Sequence, residues 1–357
     1  MQKMRRFFGE IDFSRYSRLL KGPEGISKYV PISFNPASYE LLKFDPLKIN
    51  LSDADTFLSA PAHDILNRDA KLWRGSLCMI VAEGLGGSAL NVLPLAASLE
   101  ILHTASLVVD DVEDKSTMRR GKPCIHILHG EPTAINIGNY LFFLPFALVS
   151  GTSYPDPIKL KMLTALSEEM VKLTVGQGYD INWAQHGLMP TIDKYLFSIE
   201  CKTSVIVRLA VKLAAIAQKA DKFVQDQLIL YAENIGAAFQ IKDDLLNLES
   251  TDYAKGRSYL GEDITEGKRS AIVIRAVEQS TERQRLIDIL NMRTPDLNLV
   301  NEALDIIRST DALGWSNELA TKHIERALES LDRLTLQVDS TAFLEGIAKF
   351  IVTRTKC

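Results

Sequence analysis

From Asp64 onward the chain repeats apolar residues at three- and four-residue spacing, in runs such as NVLPLAASLEILHTASLVV (91–109), KMLTALSEEMVKLTV (161–175), SVIVRLAVKLAAIAQ (204–218) and QLILYAENIGAAFQIKDDLLNL (227–248). That is the period of an amphipathic or buried helix, and the strict alternation of a half-buried strand is nearly absent. Turn chemistry at RRGKP, GTSYPDP, HGLMPT and LGEDITEGK divides the runs, which predicts helices of about 15 to 25 residues joined by short loops. Residues 1–57 differ: Pro23, Pro31, Pro36 and Pro46 with scattered Gly and Ser predict an irregular arm with at most short helices. The expectation is an all-α chain, with the arm followed by one packed helical domain over 58–357.

Composition narrows the function. With 46% hydrophobic residues, 24% charged and a net charge of −4 across 357 residues, the chain offers no basic field for nucleic acid. Cys78, Cys124, Cys201 and Cys357 are far apart and form no CxxC pair, so neither a disulfide framework nor a zinc site is indicated. A reducing, cytoplasmic location is expected, with targeting by the basic and aromatic first residues left open. The longest apolar run, NYLFFLPFALVS at 139–150, falls short of the roughly 20 residues of a membrane helix, so no transmembrane segment is expected.

Two places concentrate charge where the helical runs end. In SLVVDDVEDKSTMRRG, Asp110 and Asp114 stand one helical turn apart with Asp111 beside them, so their oxygens can converge on a divalent ion. In FQIKDDLLNL, Asp243 and Asp244 are followed by Asn247, which offers a neutral oxygen. Either cluster alone reads as a solvated helix end; two at matched positions point to metal. Magnesium suits sparse carboxylates, because it keeps waters and completes its shell with substrate phosphates. Arg119, Arg120, Lys71, Arg74, Lys202 with Thr203, and Lys268 border apolar helices or Gly turns. Single cations usually serve solubility, but here they read as diphosphate ligands.

The motifs EILHTASLVVDDVEDKSTMRRGKPCIH, GQGYDINW, CKTS, FQIKDDLLNL and EDITEGKRS, in this order over about 58–275, resemble the trans-polyprenyl diphosphate synthases, most closely the animal and fungal geranylgeranyl diphosphate synthases. The resemblance implies a bundle of long helices around a deep cavity, in a homodimer or higher homo-oligomer. It implies that Asp110, Asp111, Asp114, Asp243 and Asp244 hold magnesium, three ions bound with the diphosphate. Arg119, Lys202, Thr203, Gln240 and Lys268 would face the allylic diphosphate, and Arg257 best matches the lysine of the loop after the second cluster. Lys71, Arg74, His103 and Arg120 would bind isopentenyl diphosphate. Lys202 and the aspartates would carry the catalysis, by stabilising pyrophosphate as the allylic C–O bond breaks. No side-chain nucleophile is required, and a dry apolar pocket protects the carbocation.

The resemblance also bears on product length. Ala105 and Ser106, just before the first cluster, are small where farnesyl-producing relatives place bulky aromatics. Phe142, Phe143 and Thr174 match the positions that form the floor of the cavity in the animal and fungal branch. Thr174 stands where that branch has His, so the expected product is C20 with some C25. Two alternatives remain at this level. A class I terpene cyclase would carry a metal triad, matched here by Asn247 and Thr251 but not by Lys255. A non-catalytic partner subunit would be expected to lose one cluster or its arginines.

Overall fold

The computed structural model describes residues 13–30, 53, 55–249 and 260–355; Arg257, Thr251, Lys255 and Cys357 lie outside them. The described residues are mostly helical: α1 Ser14–Lys21, α2 Ile26–Tyr29, α3 Ala60–Leu66, α4 Trp73–Gly84, α5 Leu93–Glu113, α6 Ile125–His129, α7 Glu131–Ser150, α8 Asp156–His186 and α9 Ile192–Lys202. It continues as α10 Ser204–Ala217, α11 Lys222–Glu249, α12 Glu262–Glu266, α13 Ala271–Gln279, α14 Arg283–Met292, α15 Leu297–Arg308, α16 Ala312–Leu331 and α17 Val338–Thr353.

Local chemistry explains the boundaries. Pro94, Pro132 and Pro157 sit in the first turns of α5, α7 and α8, where no intrahelical N–H is lost. The Thr191 and Ser270 hydroxyls accept the N–H of Lys194 and Val273 at the starts of α9 and α13, and Gly187 ends α8 in the left-handed region at φ 63°. Helices α8 and α11 run 31 and 28 residues, longer than the spacing suggested, because Gly176, Gly178 and Gly236 stand inside them without breaking them. Among the described residues strand is confined to the two-residue hairpin β1 Met118–Arg119 and β2 Lys122–Pro123. Its loop, Arg120 and Gly121, has positive φ at both positions, 53° and 75°, as the twist of a two-residue hairpin demands.

Helices α4 and α10 form the centre; both are apolar on nearly every side and buried on nearly every side. α5 packs on α7 and α4, α10 on α11 and α8, and α11 on α16, while α17 closes against α16 and α4. The core begins earlier than residue 58. Phe13, Tyr16 and Leu20 on and beside α1 belong to it, the Tyr16 hydroxyl donates to Glu83 at 2.6 Å, and Phe13 meets Phe343 edge to face at 6.0 Å. Short helices were expected in the arm, but not their burial. Proline content signals broken periodicity and says nothing of whether the pieces dock.

α5 and α7 are each long and apolar enough by composition to cross a bilayer, α7 extending further than the 139–150 run. α5 is mostly buried inside the bundle.

Candidate active site

Both aspartate clusters stand at C-terminal helix ends. The last turn of α5 carries Asp110 and Asp111, and Asp114 is its C-cap residue, its N–H on the Asp110 carbonyl at 2.9 Å. Near the end of α11 stand Asp243 and Asp244. Successive residues on a helix point about 100° apart, and the two pairs resolve in the same way. The first members are open, 22% for the Asp110 side chain and 21% for Asp243. The second members are 1% exposed and held from inside.

Asp111 accepts the Arg119 guanidinium, Nε at 2.7 Å. Asp244 accepts Lys268 Nζ at 2.7 Å, Gln240 Nε2 at 2.8 Å and the Tyr195 hydroxyl at 2.7 Å. The expectation that all five aspartates ligate metal is therefore narrowed. Asp111 and Asp244 are buried and engaged with protein donors, leaving Asp110, Asp114 and Asp243 as the carboxylates that open outward. Asn247 is corrected too. It is buried, and its side-chain oxygen accepts the Asp263 N–H at 3.2 Å, so it fastens the turn into α12 rather than offering a ligand.

A constellation around Lys202 joins the two clusters. Lys202 Nζ lies 3.3 Å from Asp110 and 2.9 Å from Asp180. The next residue, Thr203, donates to Gln240 Oε1 at 2.7 Å, and Gln240 in turn donates to Asp244. The break between α9 and α10 thus lays one residue on each cluster. Gly176 permits it, since a Cβ there would lie 2.5 Å from the Lys202 N. The same close approach brings Gln177 to Asp110 at 3.1 Å and to Glu113 at 2.6 Å.

The electrostatics describe a site prepared for cations and anions together. Burial, then the negative charge of Asp110, pushes Asp114 up to about 7, and the Asp114 carboxylate makes no hydrogen bond or ion pair among the described residues. Lys268, from the second cluster, is among the charges that pull Asp114 back down, so the two clusters face one another. Lys202 would lose its proton more easily on burial, but Asp110, Asp180 and Asp114 outweigh that and raise its pKa.

Beside the clusters lies an anion cradle. Burial, then Arg74, Arg120, Arg119 and Lys71, holds His103 well below the ordinary histidine range. The charges of these four cations favour a neutral imidazole at His103. Glu100, buried one turn before His103, accepts the Gly75 N–H at 2.7 Å and is the counter-charge nearest Arg74 and Arg120. Arg68 donates to the Arg119 carbonyl at 3.0 Å and to Asp64 at 2.6 Å, tying the hairpin to α3.

The product-length residues are not brought together. Ala105 is in the core, Ser106 is half-buried with its hydroxyl on the His103 carbonyl at 2.9 Å, and Phe142 is half-buried against the core. Phe143 is 71% exposed and Thr174 is exposed. Adjacent helical residues cannot share one face, so Phe142 turns inward, and Phe143 and Thr174 are removed from the floor of a single chain.

Sequence reasoning passed over Glu100, Gln177, Asp180, Tyr195, Asp263 and Arg354. Glu100 opens the motif EILHTASLVVDDVEDKSTMRRGKPCIH, Gln177 and Asp180 stand inside GQGYDINW and Asp263 inside EDITEGKRS, where a signal was present; Tyr195 and Arg354 have none apart from residue type.

A family model for polyprenyl synthetase matches residues 55–307. A short chain isoprenyl diphosphate synthase of Methanothermobacter thermautotrophicus is 33% identical over 320 residues, covering 88% of this chain and 96% of that protein. A geranylgeranyl pyrophosphate synthase of Dictyostelium discoideum is 32% identical over 285 residues, 80% of this chain and 90% of that protein. The crystal structure of geranylgeranyl pyrophosphate synthetase from Pyrococcus horikoshii superposes with a TM-score of 0.80 at 28% identity, covering 96% of this chain and 98% of that one. With the family model spanning most of the chain and relatives aligned over nearly their whole length, the chain belongs to the polyprenyl synthetase family and is a prenyltransferase.

Proposed function

We propose that the protein is a geranylgeranyl diphosphate synthase. It condenses isopentenyl diphosphate head to tail with an allylic diphosphate, farnesyl diphosphate as the primer, and makes C20 with some C25. What carries this is the set of four cations, Lys71, Arg74, Arg119 and Arg120, whose charges keep His103 neutral, together with the two aspartate pairs at the ends of α5 and α11. A terpene cyclase has no second diphosphate to hold, and such a cradle would be without purpose there. Relatives named geranylgeranyl pyrophosphate synthases, about a third identical, support the product assignment.

The donor set fits magnesium. Asp110, Asp114 and Asp243 present carboxylate oxygens, and burial together with the Asp110 charge raises Asp114, a cost that a bound cation would relieve. These three would hold up to three ions, and bound metal would supply charge stabilisation for the departing diphosphate. Lys202, Lys268 and Arg119 hold the allylic diphosphate, with Arg257 a further ligand in the proposal. Lys71, Arg74 and Arg120 hold isopentenyl diphosphate, and His103 adds a hydrogen bond without adding charge. Ser106 and Phe142 bound the path of the growing chain.

A second copy of the chain is the partner we assign to the apolar stripe of Ile135 and Phe143 on α7 and Val171 and Val175 on α8, all exposed here. Incubating the purified protein with isopentenyl diphosphate and each allylic primer in turn, then separating the dephosphorylated alcohols, tests the function. Geranylgeraniol as the main product is expected, and cyclised hydrocarbon or no condensation would overturn the reading.

A further inference from the structure

Arg354, the residue after α17, meets the second cluster from the far end of the described residues. Its side chain is almost wholly buried. The guanidinium donates to Asp243 Oδ1 and, at 3.0 Å, to the Phe239 carbonyl. Its face lies on the Phe239 ring, 4.1 Å from the centroid. Phe239 stacks on Trp73 at 5.4 Å, and Arg74 covers Trp73 at 4.9 Å. The end of the chain is thus built into the wall between the second cluster and the anion cradle.

This arrangement leaves both carboxylates of the second cluster neutralised by protein cations, Asp244 by Lys268 and Asp243 by Arg354. A divalent cation at Asp243 would sit beside a guanidinium that is screened by little water, and like charges at that range repel strongly. One cation has to yield. Lys268 bridges Asp244 and Asp263, the latter at 3.1 Å, and lies between α12 and α13; its departure would strand two buried carboxylates. Arg354 meets Asp243 as its carboxylate among the described residues. Its backbone is already extended, φ −65° and ψ 140°, and its N–H on the Phe350 carbonyl at 3.0 Å is the closing bond of α17.

We infer that Arg354 is an internal competitor for the metal at Asp243, holding that carboxylate in the metal-free chain and being displaced when metal and diphosphate bind. The inference rests on the reading of Asp243 as a metal ligand. Displacement loosens the last turn of α17, so metal binding and order at the C-terminal end are coupled in opposite directions, and removing the competitor must tighten metal binding by the same factor.

The test uses Mn2+ as the metal probe, followed by loss of its free-ion paramagnetic resonance signal. Farnesyl thiodiphosphate, an allylic diphosphate that does not ionise readily, is present throughout, so turnover plays no part. Arg354→Gln should bind Mn2+ about five-fold or more tightly than the native chain, within the usual span of coupling between sites, and Arg354→Lys should stay near native. In the native chain, hydrogen exchange at residues 350–355 should speed up when Mn2+ and the analogue are added. Unchanged or weaker binding in Arg354→Gln, or undiminished protection of 350–355, overturns the inference. Should Arg354→Gln fail to fold, the exchange measurement on the native chain decides alone. Asp243→Asn separates the two readings: if it binds Mn2+ as the native chain does, Asp243 is no ligand and the assignment of the second cluster fails first.

Discussion

Asp111 and Asp244 are counterparts. Each is the second member of its aspartate pair, each is almost fully buried, and each is ion-paired to a cation that arrives later in the chain, Arg119 and Lys268. Their neighbours Asp110 and Asp243 open outward, so the members of each pair should fail differently when changed.

Asp110→Asn and Asp243→Asn should lower kcat by about a hundred-fold or more, since an outward carboxylate lost from a metal site removes charge stabilisation made in the transition state. Thermal stability should change little for Asp110→Asn, whereas Asp243→Asn also leaves the buried Arg354 guanidinium without its carboxylate and should melt lower. Asp111→Asn should instead lower stability by about 3 kcal/mol, because it leaves Arg119 facing a buried site without its counter-ion. Steady-state kinetics beside thermal melts of the three single variants separates the two roles; equal melting temperatures for Asp110→Asn and Asp111→Asn would remove the distinction.

The cradle around His103 makes a second distinction. Arg74→Ala should raise the KM for isopentenyl diphosphate ten-fold or more, a charge-assisted contact being worth about 1.5–3 kcal/mol. The KM for the allylic primer should move far less. A parallel rise in both would show that the cradle is not dedicated to one substrate.

Product length should respond inside the bundle and not on its outer face. Ser106→Phe fills the half-open position before the first cluster and should shift the product from C20 toward C15. Phe142→Ala should lengthen it, because each added isoprene unit needs its own apolar volume. Phe143→Ala, on the exposed side of α7, should leave the length distribution unchanged. Chromatography of the dephosphorylated alcohols reads all three.

Acid should destabilise the fold in part through His323. Burial, then the nearby charge of Arg326, holds its pKa down to about 4, against an ordinary value of 6.5. Between those values the unfolded chain binds more protons than the folded one, so stability falls as pH drops from about 6.5 to about 4 and is retained above. The side chain is only partly buried, and the contribution is on the order of 1–2 kcal/mol after solvent screening. Melting temperature against pH should be flatter over that range for His323→Gln than for the native chain.

Much of this was legible in the residues alone. A three-to-four repeat sustained through 91–109 and 227–248 admits only helices, and aspartate pairs at the ends of such helices place carboxylates where a cation can reach them. Local order carries that information, because each helix face is written in its own sequence. Partnership is not local. Asp243 meets Arg354 across 111 residues, and Arg208 on α10 meets Glu169 across 39; such pairings depend on how helices cross and how closely small residues let them approach. Tertiary packing decided which aspartate of each pair looks outward, that Asn247 fastens a turn, that Phe143 and Thr174 are exposed on the single chain, and that residues 13–30 dock on the core. The helical period specifies which residues share a face; only the neighbouring helix specifies what that face meets.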